Sequence, residues 1–156
     1  GPATAEELSQ RHFRLVCQLL EEYRVGPMPG LEEALDALRR RGIPFGVVSS
    51  SWRWYVEHCL RELGMYEDAA VIVTGSDGLP LKPAPAPYQA AARVFRPAPP
   101  GAVLAVEDSG SGVRSAVAAG LACAAVYNPD SGAQDLSPAR WRLNSLYELP
   151  ALLDGN

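Results

Sequence analysis

Lysine is nearly missing from this chain of 156 residues: Lys82 stands alone beside thirteen arginines. Positive charge is also in deficit, with a net charge of −4 and a pI near 5.2, which argues against nucleic acid and anionic membrane surfaces as main partners. No apolar run approaches the roughly 18 residues of a membrane-spanning helix, and no secretory-signal pattern is visible. Cysteine is scarce. Cys17, Cys59 and Cys123 lack metal-ligand spacing and sit in apolar patterns, so zinc sites and a disulfide framework are not expected. Buried free thiols in a reducing cytoplasm are. The two histidines, His12 and His58, have no sequence partners that suggest a triad or metal centre. Internal repeats and long low-complexity tracts are absent, so the length predicts one domain with a sizeable core.

What is present is an alternation of two periodicities. Helical patterns are predicted over about 4–24, 30–41, 52–63, 85–95 and 111–119, and short apolar strand patterns over 43–48, 70–74, 102–106 and 122–127. A loop at 128–140 leads to a last short strand and helix. Such alternation predicts an α/β sandwich with a parallel sheet, whose ligands gather at the carboxyl ends of the strands. The first helix carries Thr4 and Glu7 at capping-box spacing and apolar residues at 8, 15, 16, 19, 20 and 23. Gly1-Pro2 has the form of a scar left by tag removal and is set aside.

Three segments bear chemistry. GIPFGVVSSSW ends a buried strand in Ser49, Ser50 and Ser51 and opens a helix, so hydroxyls and free backbone N–H groups face an anion at the helix's positive end. A serine N-cap without ligand is the plainer reading of that junction taken alone. GAVLAVEDSGSGVRSAVAAG places Glu107 and Asp108 at the end of a second strand, where hard cations and ligands bind, or where they cap a helix. Between them lies Lys82 in LKPAPAPY. A lysine offers a compact, strongly hydrated charge with three rotatable donors, which arginine's planar fork does not reproduce.

In order and spacing, these segments resemble motifs II, III and IV of the haloacid dehalogenase superfamily, most closely its phosphoglucomutase-like and phosphatase-like branch. The resemblance runs from about Pro29 to Leu153. It implies a Rossmann-like three-layer core over 29–156, preceded by a cap-remnant helix at 3–28. It implies Ser49 as the phosphate-binding hydroxyl, Lys82 as the motif III lysine, and Asp108, with Glu107 more weakly, near magnesium. In that family an aspartate attacks a phosphoryl group, helped by the metal, the lysine and the hydroxyl. Ser50, Ser51, Arg53 and Trp52 follow as candidate substrate contacts.

Two departures shape the functional expectation. Ala86 stands where KPxPD would carry aspartate, and nothing before Pro29 resembles the family's opening strand with its Asp-x-Asp motif. That strand normally lies between the strands of motifs II and IV, so both are expected to have open edges. The favoured expectation is a second polypeptide that supplies the strand, making this chain the subunit of a partner-dependent enzyme that binds a phosphate or sulfate ester and promotes C–O or P–O cleavage. Mg²⁺ is then expected only in the completed site. The alternatives are a metal-free enzyme that expels sulfate or phosphate by a nucleophile within the substrate, as in aziridine formation, and a non-catalytic scaffold.

Overall fold

The computed structural model describes residues 2–23 and 26–154; Gly1, Arg24, Val25 and residues 155–156, which the expected boundaries include, lie outside them. Among the described residues, eleven helices and strands follow the predicted order: α1 (Ala5–Tyr23), α2 (Leu31–Arg41), β1 (Phe45–Val48), α3 (Arg53–Glu62), β2 (Ala69–Val73), α4 (Ala86–Ala92), β3 (Leu104–Glu107), α5 (Gly110–Ala118), β4 (Ala122–Val126), β5 (Trp141–Leu143) and α6 (Leu149–Asp154). The capping box forms: Thr4 N–H donates to Glu7 Oε2 at 2.8 Å and Glu7 N–H to Thr4 Oγ1 at 3.2 Å. Helix α2 ends where Gly42 takes a left-handed conformation, φ 61°, that donates back to Arg39 O.

All strand pairs are parallel, but the sheet is in two pieces. β1 pairs with β2, and β3, β4 and β5 form a second sheet in that order. Strand alternation sorts the side chains of the larger sheet into two cores. Ala105, Cys123 and Ala125 pack with Tyr88 of α4 and with Val113 and Ala116 of α5. Ala124, Val126 and Leu143 pack on the opposite face with Ala34 of α2 and Leu149 of α6. Helices therefore cover both faces, giving the expected three layers. α1 reaches the rest through Phe13, whose ring meets Trp54 of α3 edge-on at 4.4 Å between centroids.

The two half-sheets face each other across an open slot. Ser49 N–H donates to Val73 O, so Ser49 and Val47 turn their backbone groups towards β2, and Gly46 and Val48 turn theirs away. On the other side, Arg140 N–H donates to Cys123 O and Tyr127 N–H to Leu143 O, so the odd-numbered residues of β4 face β5. The register Leu104↔Ala122 and Val106↔Ala124 then points the backbone of Leu104 and Val106 away from β4. Gly46 and Val48 thus look towards Leu104 and Val106, with a cavity of about 1190 Å³ between them. Val106, in mid-strand, is 37% exposed.

Candidate functional site

At the carboxyl ends of β1 and β3 the slot opens onto Ser49, Ser50, Lys82, Glu107 and Asp108, which line the same cavity. Lys82 bridges it. Its Nζ donates to Val48 O at 2.9 Å on one side and to a Glu107 carboxylate oxygen on the other. The Lys82 and Glu107 side chains are only 9% and 6% exposed. Their attraction is therefore poorly screened, and losing either partner would strand a buried charge at a cost of about 3–5 kcal/mol.

Glu107 is surrounded by donors. Tyr88 OH donates to Oε1 at 2.6 Å, and Ser109 Oγ lies 3.3 Å from Oε2. Burial, and then the adjacent Glu107 charge, push the Tyr88 phenol far above its ordinary value, so it stays a donor. The same burial and carboxylate push the Cys123 thiol up to about 11, which makes it an inert core residue. Gly112 makes the cradle: a Cβ there would lie 2.0 Å from the Glu107 carboxylate. Its N–H instead donates to the N-cap hydroxyl of Ser109 at 3.1 Å.

Asp108 is held differently. Its Oδ2 accepts from Asn128 Nδ2 at 2.8 Å and from Ser131 Oγ at 3.1 Å, and Gln134 Oε1 accepts from Gly110 N–H at 2.9 Å. The loop after β4 therefore fixes the turn into α5. No local pattern signals this, because the partners lie twenty or more residues from Asp108 and Gly110. Tyr88 was equally hidden, as one aromatic among the apolar residues of a helix.

The serine turn after β1 is clamped against the turn after β2. Ser51 N–H donates to Ser49 Oγ at 3.2 Å, Gly75 N–H to Ser51 O at 2.8 Å, and Arg53 N–H to Ser76 Oγ at 3.0 Å. Gly75 is required by close approach, since a Cβ would fall 2.2 Å from Ser50 O. Arg53 departs from the expected substrate contact. Its guanidinium binds both oxygens of Asp77 at 2.7 and 2.9 Å, Glu57 at 3.2 Å and the Ile72 carbonyl. Ile72 pairs in register with Val47, which faces β2, so that carbonyl points to the outer edge of β2, away from the slot. Ser51 and Trp52 do not line the cavity either, and Trp52 is 63% exposed.

The donor set can be tested against magnesium, which prefers six oxygens and is often held by one or two carboxylates plus substrate oxygens. Among the described residues no group of three or more His, Cys, Asp or Glu converges on a point. Glu107, expected more weakly as a ligand, has both oxygens engaged by Lys82, Tyr88 and Ser109. Asp108 lines the cavity with its Oδ2 already accepting from Asn128 and Ser131, so these residues by themselves do not build a magnesium site, and no step is derived through one.

The haloacid dehalogenase-like hydrolase family matches residues 2–120. The chain belongs to that family. It is similar to YhcW of Bacillus subtilis, 34% identical over 152 residues, which cover 96% of this chain and 67% of that protein. It is also similar to the validoxylamine A 7'-phosphate phosphatase of Streptomyces hygroscopicus subsp. limoneus, 31% identical over 121 residues, or 72% of this chain and 56% of that protein. Among solved structures, CbbY from Rhodobacter sphaeroides in complex with phosphate superposes with a TM-score of 0.81 at 27% identity, covering 96% of this chain and 67% of that one. The chain thus spans about two thirds of the length of the first of these relatives and of the CbbY structure. Membership accounts for the parallel α/β core. Among the described residues no helix is long and apolar enough to cross a membrane.

Proposed function

We propose that this chain carries the oxyanion-binding part of a phosphate- or sulfate-ester-cleaving site that is completed by a strand seated between β1 and β3. The observation that carries this reading is Lys82, whose ammonium stands at the open end of the slot between Val48 O and Glu107, beside Ser49 and the amino end of α5. Lysine has three N–H bonds; two are accounted for, and the third is available to a ligand oxygen. Ser49 Oγ accepts from Ser51 N–H and keeps its own proton to donate. A tetrahedral oxyanion would meet a cation and a hydroxyl together, close to the positive amino end of α5.

The names of relatives support phosphate esters as the substrate class: a 7'-phosphate phosphatase and a structure holding phosphate are both similar to this chain. In such a site Lys82 and Ser49 would hold the transferred or departing group and offset its growing charge, while Asp108 would contribute one oxygen to Mg²⁺. The remaining carboxylates and the nucleophile would arrive with the added strand. Support for the strand comes from the slot-side N–H and C=O groups of Gly46, Leu104 and Val106 and from the Val48 N–H, each of which would cost about 1–3 kcal/mol if left buried and unpaired, whereas Val48 O already accepts from Lys82. A second polypeptide is the proposed donor.

Calorimetric titration of the purified chain with inorganic phosphate and with sulfate tests the oxyanion part. A saturable site in the wild type, weakened about tenfold or more in Lys82→Arg, is the expected result because the planar guanidinium cannot keep both Val48 O and Glu107 while addressing a ligand. Absence of binding in the wild type, or equal binding in both proteins, would overturn it.

A further inference from the structure

Lys82 is held by a residue that neither the motif spacing nor the ion pair reveals. We infer that Tyr88 is a positioning residue for Lys82, its hydroxyl and its ring together fixing where the ammonium stands at the mouth of the slot. This role rests on the proposed oxyanion reading of Lys82 and deepens it.

The geometry gives Tyr88 two contacts with one ion pair. Its hydroxyl donates at 2.6 Å to Glu107 Oε1, the same oxygen that accepts from Lys82. Its ring centroid lies 5.1 Å from Lys82 Nζ, within range of a cation over an aromatic face. Tyr88 is itself 7% exposed, locked in the core with Val113 and Cys123, so it has little freedom to follow a moving partner. The carboxylate is restrained on its remaining sides by Ser109 and by the space at Gly112.

A shared acceptor oxygen matters for the ammonium. With Tyr88 taking one direction at Oε1, Lys82 is confined to another, and that direction leads across the slot to Val48 O. Without the hydroxyl, Oε1 has Lys82 as its only donor, and the ammonium is free to sink towards the carboxylate. Its third N–H would then leave the line to an incoming oxyanion. The ring adds a lateral restraint, since a cation prefers the face of an aromatic ring to its edge.

Because Lys82 is the only lysine, selective ¹³C labelling of lysine in the whole chain gives one ε-methylene signal that reports this site alone. In the wild type, a through-space contact between the Tyr88 ring and that methylene is expected, together with a shift of the signal on adding inorganic phosphate. In Tyr88→Phe the phosphate-free signal moves and the phosphate affinity falls by about tenfold, a loss of the size expected when a hydrogen bond to a charged group is removed. Tyr88→Phe that lowers the melting temperature yet leaves the signal and the affinity unchanged would assign Tyr88 to packing only and overturn the inference. A wild-type signal that phosphate does not move would overturn the oxyanion reading and this role with it. Should Tyr88→Phe fail to fold, the wild-type contact decides: its presence supports the positioning role and its absence contradicts it.

Discussion

Single side chains here owe their roles to partners distant in sequence. Lys82 is legible as unusual from composition alone, and Ser49 and Asp108 from the turns they occupy. The structure brings all three to one cavity. Arg53 is a candidate substrate contact from sequence, but Asp77, twenty-four residues on, holds it at the far edge of β2. Sequence spacing cannot show such a capture. The pair has a pH signature. The Arg53 hydrogen bond, and then the Thr74 N–H, hold the Asp77 carboxyl below its ordinary 3.8. A depressed carboxyl contributes stability above its unfolded value and loses it as pH falls through the folded one. Asp77→Asn should therefore melt lower than wild type at neutral pH, with the gap closing below about pH 3.8. Paired melts across pH 2–7 check this; a gap independent of pH would contradict it.

At the scale of elements, the helix and strand order was legible because each period is local. Only boundaries moved: the predicted 85–95 helix ends at Ala92 and continues as a tight turn through Phe95, and β3 starts at Leu104 rather than 102. The split of the sheet between β1 and β3 follows from pairing, which no local pattern encodes. Neither was the close approach of the Glu107 carboxylate to α5 visible. Gly112 sits inside that helix, where alanine would ordinarily be better by about 1 kcal/mol. A Cβ there collides with the Glu107 carboxylate, so Gly112→Ala should destabilise by about 1–3 kcal/mol despite its helix preference. Chemical denaturation measures the sign directly. A stabilised variant would show that the Glu107 cradle is looser than described.

For the whole molecule, the two half-sheets face each other across the slot, joined at one end by the Lys82 bridge from Val48 O to Glu107. Family membership accounts for the core, and the proposed site chemistry rests on the slot accepting a strand. Residue-resolved hydrogen exchange on the isolated chain tests that most directly. Alternation is expected along each inner strand: slow exchange at Val47 and Ser49, which face β2, and at Ala105 and Glu107, which face β4, against fast exchange at Val48 and Val106. A partner strand seated in the slot would make the fast set slow as well. Uniform protection of both sets in the isolated chain would mean that β1 and β3 are already closed, and would contradict the open, strand-accepting site.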